Sequence, residues 1–149
     1  MNDLTIYLAG EIHSSWREDL RQRIAAKGIP AEIAFVGPQE VHARSDDVGE
    51  DILGAQPDKR YRDLMGGKVN NLRRRVQMNR ADLVVAYFGP EYRQWNTAAD
   101  AGAAAAMDIP LILVRDMEHL HALKDLDAFA AVTVETLEQA AEVIGYIFE

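Results

Sequence analysis

Short apolar runs alternate with amphipathic stretches along almost the whole chain. Thr5-Ile6-Tyr7-Leu8-Ala9 stops at Gly10 and predicts a first strand. Trp16, Leu20 and Ile24 recur at one-helix-face spacing, and Ser15 with Glu18 fits a capping box at that helix's start. Gly28 and Pro30 end it. Ile33 to Val36 predicts a second strand, closed by Gly37-Pro38. Val69, Leu72 and Val76 share one face of a helix from about Val69 to Arg80. Leu83 to Phe88 is the third strand, followed by an alanine-rich helix, then Pro110 and a fourth strand, Leu111 to Val114. A helical stretch from Glu118 to Leu126 leads to a fifth strand near Ala131 to Val134. Leu137, Ala140, Ala141, Ile144 and Phe148 line one side of a last helix, where Thr136 and Gln139 fit a capping box.

Such alternation predicts a single α/β domain over residues 1–149, with a parallel sheet covered by helices on both faces. Five strands in this length fit a flavodoxin-like three-layer sandwich of strand order 2-1-3-4-5. The stretch between Gly37 and Lys68 breaks the rhythm. Within it, Asp46 to Gly54 has room for one or two helical turns. It leaves the sheet at the same end as Gly10 and the segment before Asp100, so we expect a lid or a pocket wall.

Composition narrows the function classes. Apolar residues make up 48% of the chain, enough for a real core. Lys and Arg number 16 against 24 Asp and Glu, a formal net charge of −8, which argues against a nucleic-acid partner. The absence of cysteine excludes disulfides, thiolate metal sites and a cysteine nucleophile. No signal-peptide pattern and no membrane-length apolar run is present, so a cytoplasmic protein with no membrane partner is expected.

The candidate chemistry gathers at the carboxyl ends of the strands, where open α/β sheets keep their ligands. With Asn96 as cap, Asp100 lies just beyond the first turn of the alanine-rich helix, where the dipole favours an ionised carboxylate. That carboxylate fits a nucleophile and equally fits an ordinary acid near a helix start. Ala98, Ala99, Ala101, Gly102 and Ala103 leave room beside it. Tyr7 can orient it through its hydroxyl, or pack as a core aromatic. Gly10 permits a close backbone approach. In the segment from Gly10 to Arg17, backbone amides offer an anion site, with charge from His13 or Arg17 and a stacking surface on Trp16; Trp16 also belongs to the apolar stripe, and Glu11 reads as a loop acid. No G-x-G-x-x-G and no P-loop is present. His42, Ser45, Asp46 and Asp47 can converge, with Ser45 and Asp46 suited to a ribose. The remaining histidines lack ligand spacing to them, so no metal is expected. Arg73-Arg74-Arg75 reads as a solvated helix face.

Tyr7-Leu8-Ala9-Gly10 resembles the opening strand and turn of the nucleoside 2-deoxyribosyltransferase superfamily, and Asn96-Thr97-Ala98-Ala99-Asp100-Ala101-Gly102-Ala103-Ala104 resembles its second motif. Tyr7 to Trp16, the Ser45-Asp46 to Gly54 segment and Gln94-Trp95-Asn96 through Pro110 resemble the YtoQ family within it. The resemblance implies a nucleoside 2-deoxyribosyltransferase-like domain, often oligomeric, acting on a nucleoside or nucleotide N-glycosidic bond without cofactor, by hydrolysis or transfer. A non-catalytic nucleoside- or nucleotide-binding protein is the alternative. It places Asp100 as the nucleophile and Tyr7 as its orienter, with Gly10, Glu11, His13, Trp16, Ser45, Asp46, Gly89, Gln94, Trp95, Asn96 and Thr97 about the substrate. Two departures stand out. Aspartate replaces the superfamily's glutamate, setting the carboxylate back by roughly 1 Å, a misplacement that can cost ~10²-fold in rate. Gln94 stands where the transferases carry a second acid, a role for which Glu91, Asp46 and Glu11 are candidates.

Overall fold

The first strand sets the geometry of everything above it. In β1 (Asp3–Ala9), side chains alternate between faces: Leu4, Ile6 and Leu8 enter one core, Tyr7 and Ala9 the other. All but Asp3 and Thr5 are essentially excluded from solvent, as expected of a strand covered on both sides. The computed structural model describes residues 3–149. They form α1 (Trp16–Ala25), β2 (Glu32–Val36), α2 (His42–Leu53), α3 (Lys59–Met78), β3 (Leu83–Phe88), α4 (Trp95–Ala106), β4 (Leu111–Arg115), a 3-10 turn (Met117–His119), α5 (Lys124–Phe129), β5 (Val132–Val134) and α6 (Leu137–Tyr146).

The sheet is parallel throughout, in the order β2-β1-β3-β4-β5 that the sequence predicts. Trp16, Leu20 and Ile24 of α1 and Ala140, Ala141 and Ile144 of α6 fill one core. On the opposite face Ala101 and Ala104 of α4 bury completely against Tyr7, Val84 and Ala86. The alanines let α4 settle close to β1 and β3, where the strand order reverses and a crevice opens at the strand ends. The Thr136–Gln139 capping box forms. The Ser15–Glu18 box does not: no side chain caps α1, and Glu18 accepts from Gln22 instead.

The irregular stretch is mostly helical. α2 is longer than the one or two turns expected, and α3 begins at Lys59, ahead of Val69, with Asp58 accepting from the Tyr61 N–H as its cap. Apolar spacing hid this because glycine makes the contact: a Cβ on Gly49 would stand 2.5 Å from the Gly66 backbone nitrogen, so the two helices touch through bare backbone. α3 is also turned differently from its expected stripe. Leu72 is 67% exposed and Val76 is exposed with it, while Gly66, Asn70, Arg74 and Gln77 face inward. The segment is therefore a helical wall beside the crevice. The helix expected over Glu118 to Leu126 splits into the 3-10 turn and α5, because Asp116 caps the turn by accepting from His119 N–H.

Candidate active site

Three loops meet above the crevice. The β1–α1 loop turns at Gly10, where Trp16 lies so close that a Cβ would clash with its ring at 2.3 Å. Arg17 is buried beneath this loop and donates to the carbonyls of Leu8, Gly10 and Glu11. The guanidinium is thus spent on shaping the turn, and the expected contribution of Arg17 to an anion site is replaced by a structural one. Glu11 fills that site itself: its carboxylate accepts from the N–H groups of His13 and Ser14 and from the Ser14 hydroxyl. Burial pushes its carboxyl up, but these bonds outweigh burial and hold it below the usual range.

Trp16 is 3% exposed, stacks on Tyr87 with ring centroids 4.9 Å apart, and donates through Nε1 to the Glu11 carbonyl. It is a core side chain, as its place in the apolar stripe with Leu20 and Ile24 suggested, and it offers no stacking surface to a ligand. Gly89 also lies off the cavity at the mouth of the crevice, beside a smaller one that it shares with Glu11 and Glu91.

The cavity at the mouth of the crevice has a volume of about 340 Å³, within the range of small-molecule sites. Gly10, Glu11 and His13 come to it from the β1–α1 loop, Ser45 and Asp46 from α2, and Gln94, Trp95, Asn96, Thr97 and Asp100 from α4 and its approach. The helix start is Gln94, not Asn96. Gln94 has a left-handed backbone, φ 32°, a conformation costing a non-glycine residue about 1–2 kcal/mol. Its side chain clasps the loop, donating to the Gly89 carbonyl and accepting from Thr97 Oγ1.

Asp100 lies in the second turn of α4 and is 6% exposed. Tyr7 donates its hydroxyl to Asp100 Oδ2 at 3.2 Å. Burial and the adjacent carboxylate raise the Tyr7 phenol far above its ordinary value, so it remains a donor. Arg74, from the inward face of α3, brings Nε to 3.2 Å from Asp100 Oδ1. The N–H is not aimed along that line, so this is an ion pair without a hydrogen bond, and among the described residues the buried Nε lacks an aligned acceptor. The lowering expected of the helix dipole is outweighed at Asp100: burial holds its pKa above the ordinary value, although Arg74, the Tyr7 hydrogen bond and Arg17 pull it back.

Arg74 was hidden inside a run that reads as a solvated face; only its spacing from Gly66 and Asn70 marks it as inward. Tyr92, Arg93, Gln39 and His42 also line the cavity.

Comparison with known proteins finds relatives of the chain. A family model described as nucleoside 2-deoxyribosyltransferase YtoQ matches residues 7–148. The uncharacterised protein YtoQ of Bacillus subtilis (strain 168) is 47% identical over 147 residues, covering 99% of this chain and 98% of that one. Among solved structures, a conserved protein from Enterococcus faecalis V583 superposes with a TM-score of 0.65 at 20% identity, covering 97% of this chain and 98% of its own. A 2-deoxyribosyltransferase from Bacillus psychrosaccharolyticus superposes with a TM-score of 0.52 at 14% identity, covering 92% and 90%.

Proposed function

Because the chain belongs to the YtoQ nucleoside 2-deoxyribosyltransferase family, we propose that it cleaves or transfers the N-glycosidic bond of a nucleoside or nucleotide, with Asp100 as nucleophile. The observation that supports this best is the Asp100 carboxylate, buried at a cavity wall between a Tyr7 donor and the Arg74 cation. A desolvated carboxylate held from both sides is fixed in orientation, which is what attack on a sugar carbon requires. Tyr7 keeps one carboxylate oxygen hydrogen-bonded, leaving the other, beside Arg74, to react. Ser45 and Asp46 stand across the cavity for the sugar hydroxyls. The reading is of a cytoplasmic enzyme that uses no metal.

The test is a panel of nucleosides, deoxynucleosides and nucleoside monophosphates, each with and without an acceptor base, with base release followed by chromatography. Release from at least one supports the reading. No release from any, with or without acceptor, overturns it. The Arg74 pairing favours one other reading, binding without turnover, since a carboxylate held by a guanidinium is a poorer nucleophile. Saturable thermal stabilisation with the ligand recovered intact would support that alternative.

The same reading extends to a homo-oligomer. α3 turns Tyr61, Leu64, Leu72 and Val76 outward, with Lys68 and Arg75 exposed on the same face, while the chain as a whole carries −8. A second copy offers both an apolar face and acidic surface to meet it. Light scattering should return a multiple of 16.6 kDa; the monomer mass at every concentration would overturn the assembly.

A further inference from the structure

If Asp100 is the nucleophile, the departing base needs a proton, and the residues expected to give it are unsuited. Gln94 has no titratable proton and is clasped to Gly89. Glu11 is held as a carboxylate by three donors from its own loop. Glu91 lies at the smaller cavity. Asp46 is paired: its Oδ2 lies 3.1 Å from His42 Nε2, one turn away on α2.

Resting on the Asp100 reading, we propose that His42, oriented by Asp46, is the proton donor to the leaving base. His42 opens α2 and lines the same cavity as Asp100. In the imidazolium form Nε2–H faces the Asp46 carboxylate, which leaves Nδ1–H to give. The ring is flanked by His13, whose centroid is 5.4 Å away, and His13 in turn by Tyr92 at 5.1 Å, so the base would leave along an aromatic wall. One helix registers both ends of the reaction. Asn70 of α3 donates to the Ser45 carbonyl of α2 at 2.8 Å, and Arg74, a turn further along α3, meets Asp100.

The electron count closes. An Asp100 oxygen pair forms the bond to the sugar carbon as the carbon–nitrogen bond breaks, its pair passing to the base nitrogen. The base takes the Nδ1 proton and leaves neutral. Water then attacks the sugar carbon and gives its proton to Nδ1, and the carbon–oxygen pair returns to Asp100. With an acceptor base, its N–H proton takes the place of the water proton.

The experiment compares two substrates of the wild-type enzyme: an ordinary purine nucleoside, and its 7-methylated counterpart, whose cationic base departs neutral without taking a proton. His42 is exposed, so His42→Gln should fold, which thermal melting checks. We expect His42→Gln to lower kcat/KM by roughly 10²–10³-fold on the ordinary nucleoside and by less than about threefold on the methylated one. Asp46→Asn should move in the same direction by less. Asp100→Ala should lose both substrates. An equal loss on both substrates, or none on either, from His42→Gln overturns His42 as donor and leaves Asp100 standing. A wild-type enzyme that cleaves neither overturns the Asp100 reading, and this proposal with it.

Discussion

Asp100→Ala should cut base release by roughly 10⁴-fold or more, the scale of loss seen when a covalent nucleophile is removed. No neighbouring group can substitute. The Tyr7 hydroxyl stays protonated, and Thr97 is turned toward Gln94. The variant leaves a partly buried Arg74 without its anion and Tyr7 without its acceptor, so it should also lose about 1–3 kcal/mol of stability. Asp100→Asn separates the two effects: it keeps the acceptor for Tyr7 and most of the shape, and should lose turnover with less stability. Intact-mass measurement gives a second readout. Wild-type enzyme incubated with a slow substrate should gain the mass of a sugar, and Asp100→Ala should not. An Asp100→Ala enzyme that releases base within tenfold of wild type would refute the nucleophile.

Arg74→Met also has a large expected effect, and its signature is a displaced pH profile. Attack requires the ionised carboxylate. Burial raises the pKa of Asp100, and Arg74 is the strongest influence pulling it back down. Without Arg74 the carboxyl stays protonated to higher pH, so activity should be lost at neutral pH and recover as the pH rises through the elevated value. The loss should therefore be largest on the acid side of the profile and shrink as the pH rises. The acid limb of the kcat/KM profile should shift upward, with the alkaline limb unmoved. An unmoved acid limb would show that Arg74 does not tune Asp100.

The strand order was legible because it rests on simple periodicity, whereas the Tyr7–Asp100 pairing came with the family resemblance. Alternation in β1 puts Tyr7 on the face opposite Ile6 and Leu8, and α4 packs on that face. A wall beside the pocket was expected, but Arg74 and the full extent of α2 and α3 were not legible, for a shared reason. Apolar spacing reads helices that bury hydrocarbon, whereas α3 turns Gly66, Asn70 and Arg74 inward and leaves Leu72 outside. Loop chemistry misled in the same way. Trp16 and Arg17 have the right residue types for binding an anionic, aromatic ligand, yet both are consumed in holding the Gly10 turn. Only the competition for hydrogen-bond acceptors, visible in three dimensions, decides that.

The backbone contact between Gly49 and Gly66 has a consequence for which molecules such a crevice admits. At Gly49 and Gly66 the two helices meet backbone to backbone with no room for a Cβ, so α2 is seated closely beside the aperture it bounds. Molecules are sorted by outline before any bond is touched. A change in the preferred guest would then come by exchanging the few side chains on the rim, Gln39 or Ser45 for instance, while the frame that carries them stays as it is.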